Sequence, residues 1–216
     1  PSTLKDRVQH VAVTTFARIG LKILVLGAPD GYLRRTGWVK SARARRPVDT
    51  DGKSQPWLTM PAIAFLSGRL RDDMTLLEYG SGGSTGWYAR HVGRVVSVEH
   101  DRHWFDLIQA GLPPNVDLRY CAAEQQGDFL ELVFRPLGDP LPYARVVDTF
   151  DAAAFPDVVI VDGVDRLNCI ALVAERAPSS TVIIVDNLEY EAELQPAIKL
   201  LTSHGYRQLD FWGVAP

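Results

Sequence analysis

Cysteine is scarce in this chain: Cys121 and Cys169 are the only two among 216 residues. Two isolated thiols make neither a disulfide framework nor the paired spacing of a thiolate metal site. A reducing cytoplasm is therefore the expected compartment, and both side chains read as core residues. An excess of one charge is missing as well. Lys and Arg number 23 against 26 Asp and Glu, a net charge of −3, so a nucleic-acid partner is not expected of the whole molecule. A long apolar run is also absent. The richest stretch, 8–26, is broken by His10, Arg18 and Lys22, short of the roughly 18 uncharged residues that a membrane span needs. It lacks the cleavage pattern of a signal peptide. It reads as an amphipathic helix that covers the core or makes a homodimer contact. The first residue is Pro1, which implies a processed or trimmed start. No internal repeat or low-complexity segment occurs.

What is present suits one α/β domain with a short extension: 46% of residues are hydrophobic and 23% charged. From residue 74 onward the pattern alternates regularly. Apolar, β-branched runs predict strands at 75–79, 94–99, 116–121, 157–162 and 181–186. Helical patterns fill the gaps at 84–92, 101–110, 166–176 and 189–203. Alternation of this kind builds βαβ units and a doubly wound, mostly parallel sheet. Val158–Val161 and Val182–Val185 are near-continuous apolar runs, as strands buried on both faces are. Residues 127–150 predict a helix and loop above the sheet, and 206–214 predict a last strand after Gly205. The expected division is an N-terminal helical extension, 1–73, and a ligand-binding core, 74–216. Within the extension, 57–70 read as a helix capped by Thr59 with Pro61 in its first turn, and 30–56 as irregular.

The densest signal is Leu76–Gly86, Leu-Leu-Glu-Tyr-Gly-Ser-Gly-Gly-Ser-Thr-Gly. A strand that breaks into a glycine turn and then a helix brings backbone N–H groups against a nucleotide-like ligand. Glycine allows the close approach and a positive φ. Glu78 decides which ligand. A carboxylate two residues before Gly80 repels a pyrophosphate but suits a cation. S-adenosylmethionine carries a sulfonium and an ammonium and no phosphate. A second acid, Glu99, closes the next predicted strand, at the place where a carboxylate can grip a ribose diol. A dinucleotide fingerprint would require a third glycine at position 85, which is Thr85.

At these residues the sequence resembles the class I S-adenosylmethionine-dependent methyltransferases, which share the acid-x-Gly-x-Gly turn (Glu78, Gly80, Gly82) and the ribose acid (Glu99). Many of them carry glycine where this chain has Ser84. The resemblance covers about residues 74–214. It implies a Rossmann-like fold and cofactor contacts from Glu78, Gly80, Ser81, Gly82, Ser84, Thr85, Glu99, His100, Glu124 and Asp162. Members of that fold end in an antiparallel pair of strands, of which this sequence offers one candidate before it stops at Pro216. The ordinary alternative is a strand–turn–helix with no ligand.

Predicted strand ends supply the remaining chemistry. The fourth strand closes with Asp162-Gly163-Val164-Asp165 and the fifth with Asp186-Asn187. Asp162, Asp186 and Asn187 are three hard oxygen donors suited to Mg²⁺. They are similar to the metal set of catechol-type O-methyltransferases, where the ion activates a hydroxyl. The alternative is polar strand ends that satisfy local amides. Methyl transfer needs a deprotonated nucleophile, and the base is sought among Asp162, Asp165, His100 and His103, with Asp162 preferred. The segment 32–57 is basic and aromatic, with Arg34, Arg35, Lys40, Arg43, Arg45 and Arg46 between Trp38 and Trp57 and no acid between Asp30 and Asp49. It reads as a substrate lid or as a solvated loop over core tryptophans.

These readings converge on methyl transfer to a small-molecule oxygen. Similarity of 37–41, 56–61 and 210–216 to a bacterial methyltransferase subgroup points to a sugar hydroxyl. The rivals are an aminopropyltransferase of the spermidine-synthase type, using Asp162 and Asp165 as an acidic pair, and a protein that binds the cofactor without chemistry. Protein or nucleic-acid methylation is disfavoured, because no Asn/Asp-Pro-Pro-aromatic motif follows the fourth strand.

Overall fold

The computed structural model describes residue 20 and residues 28–123, 128–187 and 191–216. The segment 8–26, expected as an amphipathic helix, therefore lies outside the described residues apart from Gly20. Five strands, β1 (Thr75–Tyr79), β2 (Arg94–Glu99), β3 (Val116–Tyr120), β4 (Val158–Val161) and β5 (Val182–Val185), form one sheet in the order β3-β2-β1-β4-β5. Every pairing is parallel, with Leu76 opposite Val95 on one side and Val158 on the other. The order reverses between β1 and β4, so this is a Rossmann-like α/β fold with its topological switch point at the carboxyl ends of those two strands. Ligands of open α/β sheets bind there.

Each strand predicted from the alternation forms within a residue or two of its expected bounds up to β5. Burial explains the legibility. Leu76, Leu77, Val95, Val96, Val159 and Val161 are fully enclosed, so the sheet needs apolar side chains on both faces. One face packs against α7 (Arg166–Arg176), α8 (Glu191–Ser203) and the 3₁₀ turn Ala144–Thr149. Leu77, Tyr79, Val161, Ile170 and Leu194 share that cluster. The other face packs against α3 (Met60–Ser67) and α4 (Gly83–Ala89), through Ile63, Leu66, Trp87 and Tyr88. Thr59 caps α3 as its sequence implies, accepting from the Ala62 amide. The remaining helices are α5 (Arg102–Ile108) and α6 (Phe129–Val133) in the core and α1 (Tyr32–Arg35) and α2 (Trp38–Ala44) in the extension. The segment expected to be irregular thus holds two short helices, broken apart at Gly37, whose φ is +83°.

The expected last strand is a correction. Residues 206–214 form no strand. Val214 O accepts from Met60 N at 2.8 Å, and Thr59 Oγ1 donates to Phe211 O at 3.1 Å. Phe211 stacks on Phe65 with centroids 4.9 Å apart. The alternation that reads as a strand serves to dock the segment on the first turn of α3, where its carbonyls find donors that the sheet edge would otherwise supply. Among the described residues, no helix is long and apolar enough to cross a membrane.

Candidate functional site

The glycine turn follows β1 directly. Gly80 has φ +100°, and a Cβ there would lie 2.8 Å from the Gly163 amide nitrogen at the end of β4. Its glycine is demanded by backbone conformation and by the close pass of β1 and β4. Gly82 differs. Its backbone is extended, and a Cβ would meet nothing nearer than Ser84 Oγ at 3.9 Å. That space is open, as a ligand cradle requires.

Glu78 points into the protein and is 1% exposed. Ser84 Oγ donates to its Oε1 at 2.5 Å, and Thr85 Oγ1 and Ser97 Oγ donate to its Oε2 at 2.6 Å each. Thr85 Oγ1 also accepts from Gly82 N at 3.0 Å. Ser84, Thr85 and Glu78, each expected to contact the cofactor, thus form a buried brace that fixes the turn to β1 and β2. Ser81 joins it, its hydroxyl 2.7 Å from Ser97 Oγ. The indole of Trp104 donates to Ser81 O at 2.9 Å and clips the turn from above. Sequence reasoning missed Trp104; its signal was its place one turn into the helix that Asp101 caps.

Burial pushes the Glu78 carboxyl from its ordinary 4.5 up to about 7, against the three hydroxyl donors that favour the anion. An acid whose folded pKa is raised holds its proton in the folded state while the unfolded chain has already lost it. Stability therefore falls as pH rises from about 4.5 to about 7 and levels off above, by about 3 kcal/mol in all. Glu78→Gln should flatten that slope. Calorimetric melts at pH 5 and pH 8 should lie closer together in the variant, and an unchanged slope would take Glu78 out of the pH response.

Glu99 closes β2 and is 3% exposed. Its Oε1 accepts from the amides of His100 at 2.8 Å and Asp101 at 2.7 Å. These bonds orient the carboxyl at the strand end and leave Oε2 for a diol. His100 Nδ1 lies 3.0 Å from the same Oε1. Among the described residues the buried Tyr143 hydroxyl has no hydrogen-bond partner. The His100 and Tyr143 rings meet edge to face with centroids 6.1 Å apart. A Cβ on Gly163 would run into the Tyr143 hydroxyl. That hydroxyl is a polar atom which a ligand at the switch point would satisfy.

Asp162 follows β4, with 36% of its side chain exposed. Desolvation, then the neighbouring Asp186 carboxylate, raise its pKa to about 7. Arg166 lies beneath. Its guanidinium donates to Asp162 Oδ1 at 3.0 Å, to Asp162 O and Asp186 O at 2.7 Å each, and to Gly163 O at 2.9 Å. Asp162 and Asp186 come together at the two strand ends, with Asn187 next in a left-handed conformation at φ +58°. The Arg166 guanidinium bridges the backbone carbonyls of both strand ends and takes one carboxylate oxygen of Asp162. No group of three His, Cys, Asp or Glu among the described residues could hold a metal ion, and a Mg²⁺ held here would rest on two carboxylates and the Asn187 amide.

Asp165 is a second correction. It is fully buried, accepting from Leu141 N at 2.8 Å and Asn168 Nδ2 at 2.6 Å, with Arg135 Nε 3.7 Å away. Both oxygens are spent tying the 129–141 segment to α7, and neither can serve as a base or hold a polyamine. His103 is exposed in the first turn of α5. Glu124 lies outside the described residues.

No protein-family model matches the chain, and no curated protein matches it. Among the solved structures similar to the chain are two that can be named. A methyltransferase-like protein from Silicibacter pomeroyi DSS-3 is 27% identical over 68% of this chain and 81% of that one, with a TM-score of 0.45. A functionally unknown protein from Deinococcus radiodurans R1 is 15% identical over 62% of this chain and 56% of that one, with a TM-score of 0.38. Both scores lie below 0.5, so strand order and register, rather than these likenesses, establish the fold.

Proposed function

We propose that the chain is an S-adenosylmethionine-dependent methyltransferase acting on a small-molecule hydroxyl, a sugar hydroxyl foremost. The observation that carries the reading is the charge of the switch-point crevice. Its rim is built from Glu99, Asp162 and Asp186, and the guanidinium beside them, Arg166, is spent on their carbonyls and on Asp162. A pyrophosphate would meet carboxylates there; a sulfonium and an ammonium would meet opposite charge. Glu99 would hold the ribose diol, and the open space at Gly82 would admit the ligand against the turn. When bound, S-adenosylmethionine supplies a methyl group on a positively charged sulfur.

Asp162 accepts the proton of the acceptor hydroxyl. A carboxyl with a pKa near 7 is half ionised at neutral pH and a far better base than an ordinary aspartate. Asp186 raises that basicity and Arg166 fixes the orientation. A solvent-facing carboxyl tuned in this way also favours an enzyme over a protein that only binds the cofactor. The aminopropyltransferase reading loses its acidic pair, because Asp165 is enclosed.

Calorimetry with S-adenosylhomocysteine and with NADH tests the cofactor. The first should bind and the second should not. Glu99→Ala should weaken the first roughly 10–100-fold, since charge-assisted hydrogen bonds worth about 1.5–3 kcal/mol are lost. Tight NADH binding, or an unaffected Glu99→Ala variant, would overturn the assignment.

A further inference from the structure

The basic, aromatic segment of the extension is not used by the cofactor crevice, yet the fold brings it beside the glycine turn. A cavity of about 330 Å³ opens between Trp38, Ser41, Arg45, Arg46, Trp57 and Pro216. Among the described residues, no acidic side chain lines it. Its floor is already satisfied: the Ser41 hydroxyl donates to Val48 O at 2.8 Å and accepts from Val48 N at 2.9 Å. What remains available are cations and ring faces. The Arg45 side chain makes no hydrogen bond or ion pair among the described residues, its backbone N–H alone donating to Ser41 O, and Trp57 is 64% exposed.

The cavity is coupled to the crevice by one short loop. Arg46 Nη1 donates to Ser54 Oγ at 3.2 Å, and Arg90 of the α4 end donates to Ser54 O at 2.7 Å. The Ser54 side chain lies 3.7 Å from where a Cβ on Gly83, the first residue of α4, would stand. The loop is stiff: Val48 bridges to Ser54, and Asp49 Oδ1 accepts from the amides of Asp51 and Lys53. Ser54 thus links Arg46, at the cavity, to the first residue of α4 through a preformed wall.

We infer that this cavity is the acceptor site, and that the acceptor is a flat-faced ring bearing an anionic group. The inference rests on the methyltransferase reading and names its substrate class. The exposed indole of Trp57 offers a stacking face whose burial is favourable. Arg45 offers an unspent planar fork that matches a carboxylate or phosphate in a bidentate pair. A neutral ring would use the indole and leave the guanidinium idle; an anionic ring uses both. A sugar acid, a sugar phosphate and an aryl acid share this chemistry.

Tryptophan fluorescence titrations separate the sources and read the pocket without turnover. The probes are glucuronate and glucose 6-phosphate against glucose, and 4-hydroxybenzoate against phenol. At least one anionic probe should quench saturably and bind about tenfold or more tightly than its neutral counterpart. The sugar and aryl arms then tell which ring is preferred. Arg45→Ala should abolish that preference and Trp57→Ala should remove the quenching. Both variants should bind S-adenosylhomocysteine as the unmodified protein does, because neither residue touches the crevice. Equal affinity for anionic and neutral probes, or an Arg45→Ala variant that keeps the preference, overturns the inference while leaving the cofactor reading intact. Loss of S-adenosylhomocysteine binding in the unmodified protein overturns the cofactor reading, and the pocket with it as an acceptor site.

Discussion

Gly82→Val should abolish binding of S-adenosylhomocysteine, a loss beyond 100-fold by calorimetry, and leave the melting temperature nearly unchanged. A Cβ at Gly82 enters open space beside the turn and meets only Ser84 Oγ, at 3.9 Å. Its backbone is extended and valine adopts it freely. The neighbouring Gly80→Ala should behave in the opposite sense. There the positive φ costs about 1–3 kcal/mol for any other residue, and the new Cβ would press on the Gly163 backbone at 2.8 Å. Each kcal/mol lowers the melting temperature by about 2–4 °C in a chain of this size, so Gly80→Ala should melt measurably earlier. Two glycines two residues apart thus separate into a ligand position and a structural one. Normal binding by Gly82→Val would reduce the turn to a structural element.

Asp162→Asn should cost roughly 10²–10⁴ in turnover at saturating cofactor, the usual worth of a positioned general base, beyond any weakening of cofactor binding from the lost rim charge. Asparagine keeps the shape of the side chain and its amide oxygen can still accept from Arg166, so the strand end should survive. In the unmodified protein, turnover should climb as pH rises through about 7, where the Asp162 carboxyl, raised by burial and by Asp186, loses its proton. The residual activity of the variant should lack that limb. EDTA should leave turnover of the unmodified protein intact, because the bridging cation is Arg166. Turnover by Asp162→Asn within a few-fold of the unmodified protein would remove Asp162 as the base. Suppression by EDTA with rescue by Mg²⁺ would restore the metal that the donor set first suggested.

The contrast between Asp162 and Asp165 shows where reading residues along the chain stopped. Both are acids just past the same strand, and their spacing cannot rank them. Asp165 turns inward because the segment that wraps over α7 brings the Leu141 amide to it, and that segment has no periodic signature. Arg166 was invisible for a related reason. It is a basic residue at a helix start, and only folding shows that four oxygens from two strand ends converge on its guanidinium. The Glu78 brace needed β2 beside β1, since Ser97 comes from the neighbouring strand. The closing segment misled because alternation reports burial of alternate residues without saying against what; Phe211 packs on α3 rather than on a neighbouring strand.

The parallel α/β class, the five strands and the glycine turn with its two flanking acids were determined by sequence alone. Those features depend on local periodicity, on apolar runs that must be buried on both faces, and on the backbone freedom of glycine. Tertiary structure alone decided which acids keep a free oxygen, which glycine faces open space, and that the Arg166 guanidinium bridges two strand ends. Each depends on groups distant in sequence meeting in space, where burial and a partner's charge set whether a carboxyl holds its proton or is spent on a neighbour.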